Sequence, residues 1–251
     1  MTPSAPVAEI NPAGGSRILL LCDHATNCVP VDVAGGDLGL PPAEMSRHIA
    51  WDIGAAGVTE ALAGLLDARA LLTRFSRLVI DPNRGEDDPT LVMRLYDGTV
   101  VPANRRVGRD EIERRLERFH RPYHRAIEAA IARLGAEGRA PALLAIHSFT
   151  PRLVARPPRP WQVGILWHRD GRIALPLIAR LRDQGLCVGD NEPYSGELEG
   201  DTMSRHGTRN RLPHALIEIR QDLIADPERQ RSWAERLAPI LADVIEEVPD
   251  G

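Results

Sequence analysis

No lysine occurs anywhere in the chain, so all 31 basic residues are arginine. That absence excludes a Schiff-base lysine, a lysine general base and the lysine of a phosphate-binding P-loop. There is also no GxGxxG, GxxxxGK[ST] or GxSxG run, so neither a nucleotide fingerprint nor a strained serine elbow is present. Cysteine is scarce: Cys22, Cys28 and Cys187 form no disulfide framework and no CxxC pair for a thiolate metal site. No apolar run approaches the ~18 residues of a membrane span. Residues 1–16 lack a basic start followed by an apolar stretch, so no signal peptide is expected. With 35 acidic residues against 31 basic ones and a net charge of −4, the chain has no domain-wide basic field for nucleic acid. These absences predict a cytoplasmic protein that binds neither nucleic acid nor membrane.

What is present is an ordinary globular composition, 43% hydrophobic and 26% charged over 251 residues, long enough to bury a sizeable core. Short apolar runs at 17–22, 78–80, 143–146, 163–167 and 215–219 read as buried strands. Helical spacing is found at 52–66, 110–134 (broken near Pro122), 173–181 and 231–247. The stretches 84–107 and 187–212 read as long loops, a length more often functional than idle. This alternation predicts one α/β domain over 17–251, with a parallel or mixed sheet, behind a flexible N-terminus at 1–16.

Polar clusters follow three of the apolar runs, at 23–27, 81–84 and 147–150. In open α/β sheets ligands bind beyond the carboxyl ends of strands, so the three segments could share one crevice. His24 and His147 both stand at strand ends, where a neutral imidazole is a natural zinc ligand and a carboxylate completes a three-ligand catalytic site. The plainer alternative is two histidines that hydrogen-bond in turns. His48 and Asp52 lie four apart, as do His120 and His124. The second pair has no HExxH glutamate and is interrupted by Pro122, which favours a helix-surface reading. Arg77 and Asn83-Arg84 flank the apolar run at 78–80, where a guanidinium fork could bind a carboxylate. Glu218 lies between Ile217 and Ile219 on the last strand. There it is either a desolvated general base or the partner of Arg220 on a strand edge.

Taken in order, several segments carry a resemblance: Cys22 to Asn27, His48 to Ala55, Ser76 to Arg84, Arg121 to His124, His147 to Pro151, Asn191 to Ser195 and Glu218 to Ile224. From about residue 17 to about 240 the chain resembles the N-formylglutamate amidohydrolase family. The resemblance implies a three-layer α/β/α fold of the zinc-carboxypeptidase-like (phosphorylase/hydrolase-like) kind with a mixed central sheet. It also implies hydrolysis of the amide bond of a small N-acyl, in the first place N-formyl, acidic amino acid. One Zn2+ per chain would be held by His24, Asp52 and His147, with His48 and Asn27 as alternatives for the third ligand. Glu218 takes the general-base position, and Arg77, Asn83, Arg84, His124 and His206 take substrate-binding positions. A hydrolase of another N-acyl amino acid or peptide, or a non-catalytic anion-binding protein of the same fold, remain the alternatives.

Overall fold

The structure is a computed structural model and describes residues 5–249. Its centre is built on side-chain alternation. On β2 (Ile18–Cys22) and β6 (Ala142–Phe149), Leu19, Leu21, Leu143 and Ala145 face one side, with Leu216 of β9 (His214–Arg220) beside them. Tyr123, Ile127 and Leu134 of the long helix spanning Arg121–Ala136 close over this face. Ile18, Leu20, Leu144, Ile146, Ile217 and Ile219 face the other side. They meet helices Ala55–Leu65, Ala174–Asp183 and Pro227–Glu247. Strands buried on both faces are apolar at every position because each alternate residue has its own layer to fill.

The remaining strands are β1 (Val7–Ile10), β3 (Arg69–Thr73), the two-residue pair β4 (Leu95–Tyr96) and β5 (Thr99–Val100), β7 (Val163–Leu166) and β8 (Val188–Asp190). The main sheet runs β1-β3-β2-β6-β9-β7-β8. Its four central strands, β3, β2, β6 and β9, are parallel, whereas β1 pairs antiparallel with β3 and β7 antiparallel with β9. The fold is therefore α/β/α with a mixed sheet. From β2 the chain moves to β3 on one side and then to β6 on the other. The strand order thus reverses at β2, and a crevice opens beyond its carboxyl end, between β2 and β6.

Three expectations change. Leu78, Val79 and Ile80 form no strand: they turn inward and join Phe75, Leu91 and Phe119 in a separate apolar cluster under the 84–107 loop. A short apolar run can be buried by any element, and here it is a turn that fills a satellite core. The N-terminal stretch 1–16, expected to be flexible, places Val7–Ile10 as the outer strand β1, while residues 1–4 lie outside the described residues. Between 109 and 136 the helix is not broken at Pro122. Helix Arg109–Arg115 passes through a π turn, Leu116–His120, into Arg121–Ala136, with Pro122 in the first turn of the last segment. Proline has no N–H for the preceding turn and its ring needs room, and the wider π turn provides it. The structure also adds β3 and β8, neither of which is expected from the sequence pattern.

The segment between β2 and the first long helix is pinned at its end by Gly54. Its φ is +83°, and a Cβ there would lie 2.2 Å from the carbonyl oxygen of Ile224. Both the left-handed backbone and the close approach require glycine. Gly54→Ala is expected to cost at least ~2 kcal/mol in urea unfolding, the scale of backbone strain plus a main-chain clash. A loss below about 0.5 kcal/mol would mean that the turn relaxes freely.

Candidate active site

At the carboxyl end of β2, Asp23 and His24 leave the sheet beside His147 of β6. The parallel register sets His147 directly against Glu218 of β9, and strand alternation turns both to the face of helix Arg121–Ala136. Asp52 arrives from the 23–54 segment, its backbone N–H bonded to the His24 carbonyl at 3.0 Å.

These groups form a closed network. Nδ1 of His24 lies 3.3 Å and Nδ1 of His147 2.9 Å from the same oxygen, Asp52 Oδ2. Their other ring nitrogens are held by further buried carboxylates: His24 Nε2 by Asp81 Oδ1 at 2.7 Å, His147 Nε2 by Asp23 Oδ2 at 2.9 Å. Asp23 Oδ1 in turn accepts from the Tyr123 hydroxyl at 2.8 Å and from Thr202 Oγ1 at 3.0 Å. Arg77 donates from Nε and Nη2 to Asp81 Oδ2, at 3.2 and 2.7 Å, and from Nη1 to Asp52 Oδ1 at 3.4 Å.

Burial opposes ionisation of Asp52, but the charge of His24 and the hydrogen bond of His147 outweigh it, so its pKa falls well below the usual carboxylate value. Burial is likewise outweighed at Asp81 by Arg77, and at Asp23 by His147. Two of these carboxylates, Asp23 and Asp52, outweigh burial at His147 and raise its pKa well above the usual histidine value, so positive charge among them is favoured. A divalent cation between the imidazoles would supply it in place of protons.

The donor set fits such an ion. One atom each from His24, Asp52 and His147 lies within 4.8 Å of the others. Two imidazoles and a carboxylate are a known catalytic zinc set, whose bonds of ~2.0–2.1 Å put ligand atoms about 3.3 Å apart on a tetrahedron. The Nε2 contacts to Asp81 and Asp23 are the outer carboxylates that fix the tautomer and orientation of a metal-binding histidine. Glu218 stands beside this set with Oε2 buried and without a hydrogen-bond partner. Burial raises its pKa to about 7, with His147 pulling it down and Asp52 pushing it up. A carboxyl group of that kind can exchange a proton near neutral pH.

His24, Asp52, His147, Glu218, Arg77, Asn83 and Arg84 line one cleft. His48 lines it as well but belongs to the rim: its Nε2 lies 3.4 Å from Asp97, and it is not in the three-residue cluster. Asn27 donates its amide to the Met45 carbonyl and does not reach the cleft. The two arginines differ. Arg77 is buried with its fork engaged by Asp81 and Asp52, whereas Arg84 has one side-chain hydrogen bond, from Nη1 to the Asn83 carbonyl, and a long ion pair of 4.0 Å from Nε to Asp88. Asn83 accepts from the Thr202 N–H at 2.9 Å.

His124 and His206, expected to bind substrate, are placed outside the cleft wall, because both are buried behind the 81–84 loop. His124 Nε2 donates to the Pro82 carbonyl at 3.0 Å, which leaves Nδ1 to accept from His206 Nε2 at 2.8 Å. His120 Nε2 donates to the Arg84 carbonyl at 2.9 Å. The i, i+4 histidine pair therefore clamps from below the loop that carries Asp81, Asn83 and Arg84. Asp23 and Asp81 are the site residues that sequence reasoning misses. Their signal is adjacency, since one precedes His24 and the other opens the polar cluster at 81–84.

The N-formylglutamate amidohydrolase family pattern matches residues 16–225. The N-formylglutamate deformylase of Pseudomonas putida is 28% identical over 193 residues, 69% of this chain and 70% of that protein. A gene product of Agrobacterium tumefaciens has a crystal structure similar to this fold with a TM-score of 0.92, 32% identity, and coverage of 98% of this chain and 96% of that one. The crystal structure of N-formylglutamate amidohydrolase from Ralstonia eutropha is similar with a TM-score of 0.66, 23% identity and coverage of 98% of both chains.

Two measurements check the geometry. Asp52→Asn should weaken Zn2+ binding far more than His48→Ala. Asp23→Asn and Asp81→Asn should each cost about 10–100-fold in metal affinity, the usual weight of outer carboxylates. Equal affinities across the four variants would remove the site from this cluster.

The second concerns the histidines under the loop. Burial pushes the pKa of His124 down to about 2 and that of His206 to about 4. The unfolded chain, with histidine near ~6.5, takes up protons first as pH falls. Stability from these groups is therefore complete above pH ~6.5 and is lost toward pH 4, by about 1.4 kcal/mol per unit for each histidine. In denaturant titrations between about pH 5 and 6.5, His206→Gln should flatten the slope by that amount for one histidine. An unchanged slope would show that His206 is already charged in the fold.

Proposed function

The chain belongs to the N-formylglutamate amidohydrolase family, and from that premise we propose that it is a metal-dependent hydrolase of the amide bond in small N-acyl amino acids. N-formylglutamate is the substrate that family membership puts first, and zinc is the ion that best suits the donor set. The observation that carries the reading is the pair of imidazole Nδ1 atoms converging on one Asp52 oxygen, beside a Glu218 oxygen that has no partner.

A divalent cation held by His24, Asp52 and His147 supplies a Lewis acid that polarises the acyl carbonyl and acidifies water. Glu218 takes a proton from the attacking water, whose oxygen bonds to the acyl carbon. As the C–N bond breaks, Glu218 returns that proton to the leaving nitrogen, so the products are the free acid and the amino acid. A pKa near 7 suits both transfers. Arg84 binds the α-carboxylate of the substrate with donors that make no hydrogen bond within the protein, Asp88 being its nearest carboxylate at 4.0 Å, and Asn83 stands next to it on the cleft wall. Arg77 acts on the protein and not on the substrate, its fork keeping Asp81 ionised and holding Asp52 in place. An anion-binding protein without catalysis would have no use for three buried carboxylates beneath its ligand.

Glu218→Gln should keep stoichiometric zinc while kcat for N-formylglutamate falls at least ~10²-fold, the scale of a lost general base. Arg84→Lys should raise KM about tenfold, because an ammonium cannot form a two-point fork. Arg77→Lys should instead weaken zinc binding. If Glu218→Gln retains full turnover, the proton is carried by another group. If Arg77→Lys changes only KM, Arg77 contacts the substrate.

A further inference from the structure

Which N-acyl amino acid fits best depends on what the rest of the cleft offers. A substrate with two carboxylates is held best by two cations, and the described cleft-lining residues offer one guanidinium with donors to spare. Among the described residues Arg77 and Arg84 are the only arginines on its wall, and Arg77 is engaged by Asp81 and Asp52. Two of the neighbouring hydroxyls donate within the protein, and Tyr96 and Ser195 offer uncharged donors only. Ser148 donates to the Ile53 carbonyl at 2.8 Å and Thr150 to the Arg152 carbonyl at 2.9 Å. Asp201 and Glu218 on the same wall are carboxyl groups and burial disfavours a charge on His48, so none of the three offers a second carboxylate a cation.

Beside His147 and Glu218 the wall is apolar. Phe149 lies two residues beyond His147, Leu216 two before Glu218, and Leu166 pairs with Leu216 across β7 and β9. Tyr194 and Leu198 cover them from the 190–200 loop, and Leu198 is 45% exposed at the mouth. The loop can lie this close because Gly164 and Gly189 have no side chain: a Cβ would meet the Glu192 carbonyl at 2.1 and 2.5 Å. Arg159 stacks on Tyr194 and Phe149 but does not line the cleft, and its Nη1 is bonded to the Thr150 carbonyl and the Tyr194 hydroxyl.

Resting on the amidohydrolase reading, we propose that the preferred substrates are N-acyl amino acids with a single carboxylate, held by Arg84, and an apolar group of several carbons. That group, whether the amino acid's side chain or the acyl chain, lies against Phe149, Leu166, Leu216 and Leu198. N-formylglutamate is then a secondary substrate, because its γ-carboxylate faces a wall without a free cation.

The test uses the zinc-loaded protein and three compounds: N-formyl-L-leucine (apolar side chain), N-hexanoylglycine (apolar acyl chain) and N-formyl-L-glutamate. At least one apolar compound should exceed N-formylglutamate at least tenfold in kcat/KM, and which of the two does so tells where the apolar group sits. Leu198→Arg, at an exposed position, should narrow or reverse that preference by adding a guanidinium at the mouth. Equal or better turnover of N-formylglutamate by the wild type overturns the proposal and leaves the amidohydrolase reading intact, with Arg159 as the second cation. If none of the three is hydrolysed, the amidohydrolase reading fails instead. Calorimetric affinities of the same compounds for zinc-loaded Glu218→Gln then decide the wall's preference by themselves. Tighter binding of an apolar compound supports it, and equal or tighter binding of N-formylglutamate overturns it.

Discussion

A single carboxylate, Asp52, draws together groups from three parts of the chain. It meets Nδ1 of His24 from the end of β2, Nδ1 of His147 and the Ser148 N–H from β6, and Nη1 of Arg77 from the segment after β3. A charge this deeply buried is tolerable only when its lone pairs are used, and leaving one partner out would strand the rest. The surrounding backbone is shaped to that end. The His24 carbonyl accepts from the Asp52 N–H, Ser76 donates to the Ala50 carbonyl, and the Ser76 N–H bonds to the Cys28 carbonyl. Gly54 then turns the chain abruptly into the helix that follows.

Around this centre the polar groups are layered as a bound cation would require. Inner donors face one another, outer carboxylates fix the imidazoles, and a tyrosine and a threonine hydroxyl fix one of those carboxylates in turn. Histidines in a helix support the loop that carries Asp81 and Arg84 from beneath. The chemistry sits at the carboxyl ends of parallel strands at the point where the strand order reverses, where side chains from β2, β6 and β9 can meet without any loop crossing the core.

Much of this was legible in the sequence, for identifiable reasons. His24, His147 and Glu218 each follow or occupy an apolar strand, and strand period alone sets His147 and Glu218 on one face once their strands pair. Other features were not legible. β3 reads Arg69-Ala-Leu-Leu-Thr73 directly after a helix, with no change of pattern to mark it, and β8 is three residues long. Leu78 to Ile80 has strand composition and is a turn, since burial and not extension is what the residues require. Arg77 and Arg84 are indistinguishable as letters; only the positions of Asp81 and Asp52 tell which guanidinium is engaged. His124 and His206 take site positions only through the family resemblance, because a histidine that donates to a carbonyl and one that meets a substrate have the same sequence signal.

The outermost strand has a bearing on handling the protein. Residues 7–10 cover the main-chain groups of β3, and Glu9 on their outward face is tied to Arg133. A version trimmed past Ile10 would present Ala70, Leu71 and Leu72 along an open, uncharged sheet edge, the kind of surface on which strands from separate molecules zip together. Proteolytic nicking or a cleavage tag placed too close to this stretch would thus be felt first as precipitation and only afterwards as lost chemistry, although the strand lies on the far side of β3 from the cleft.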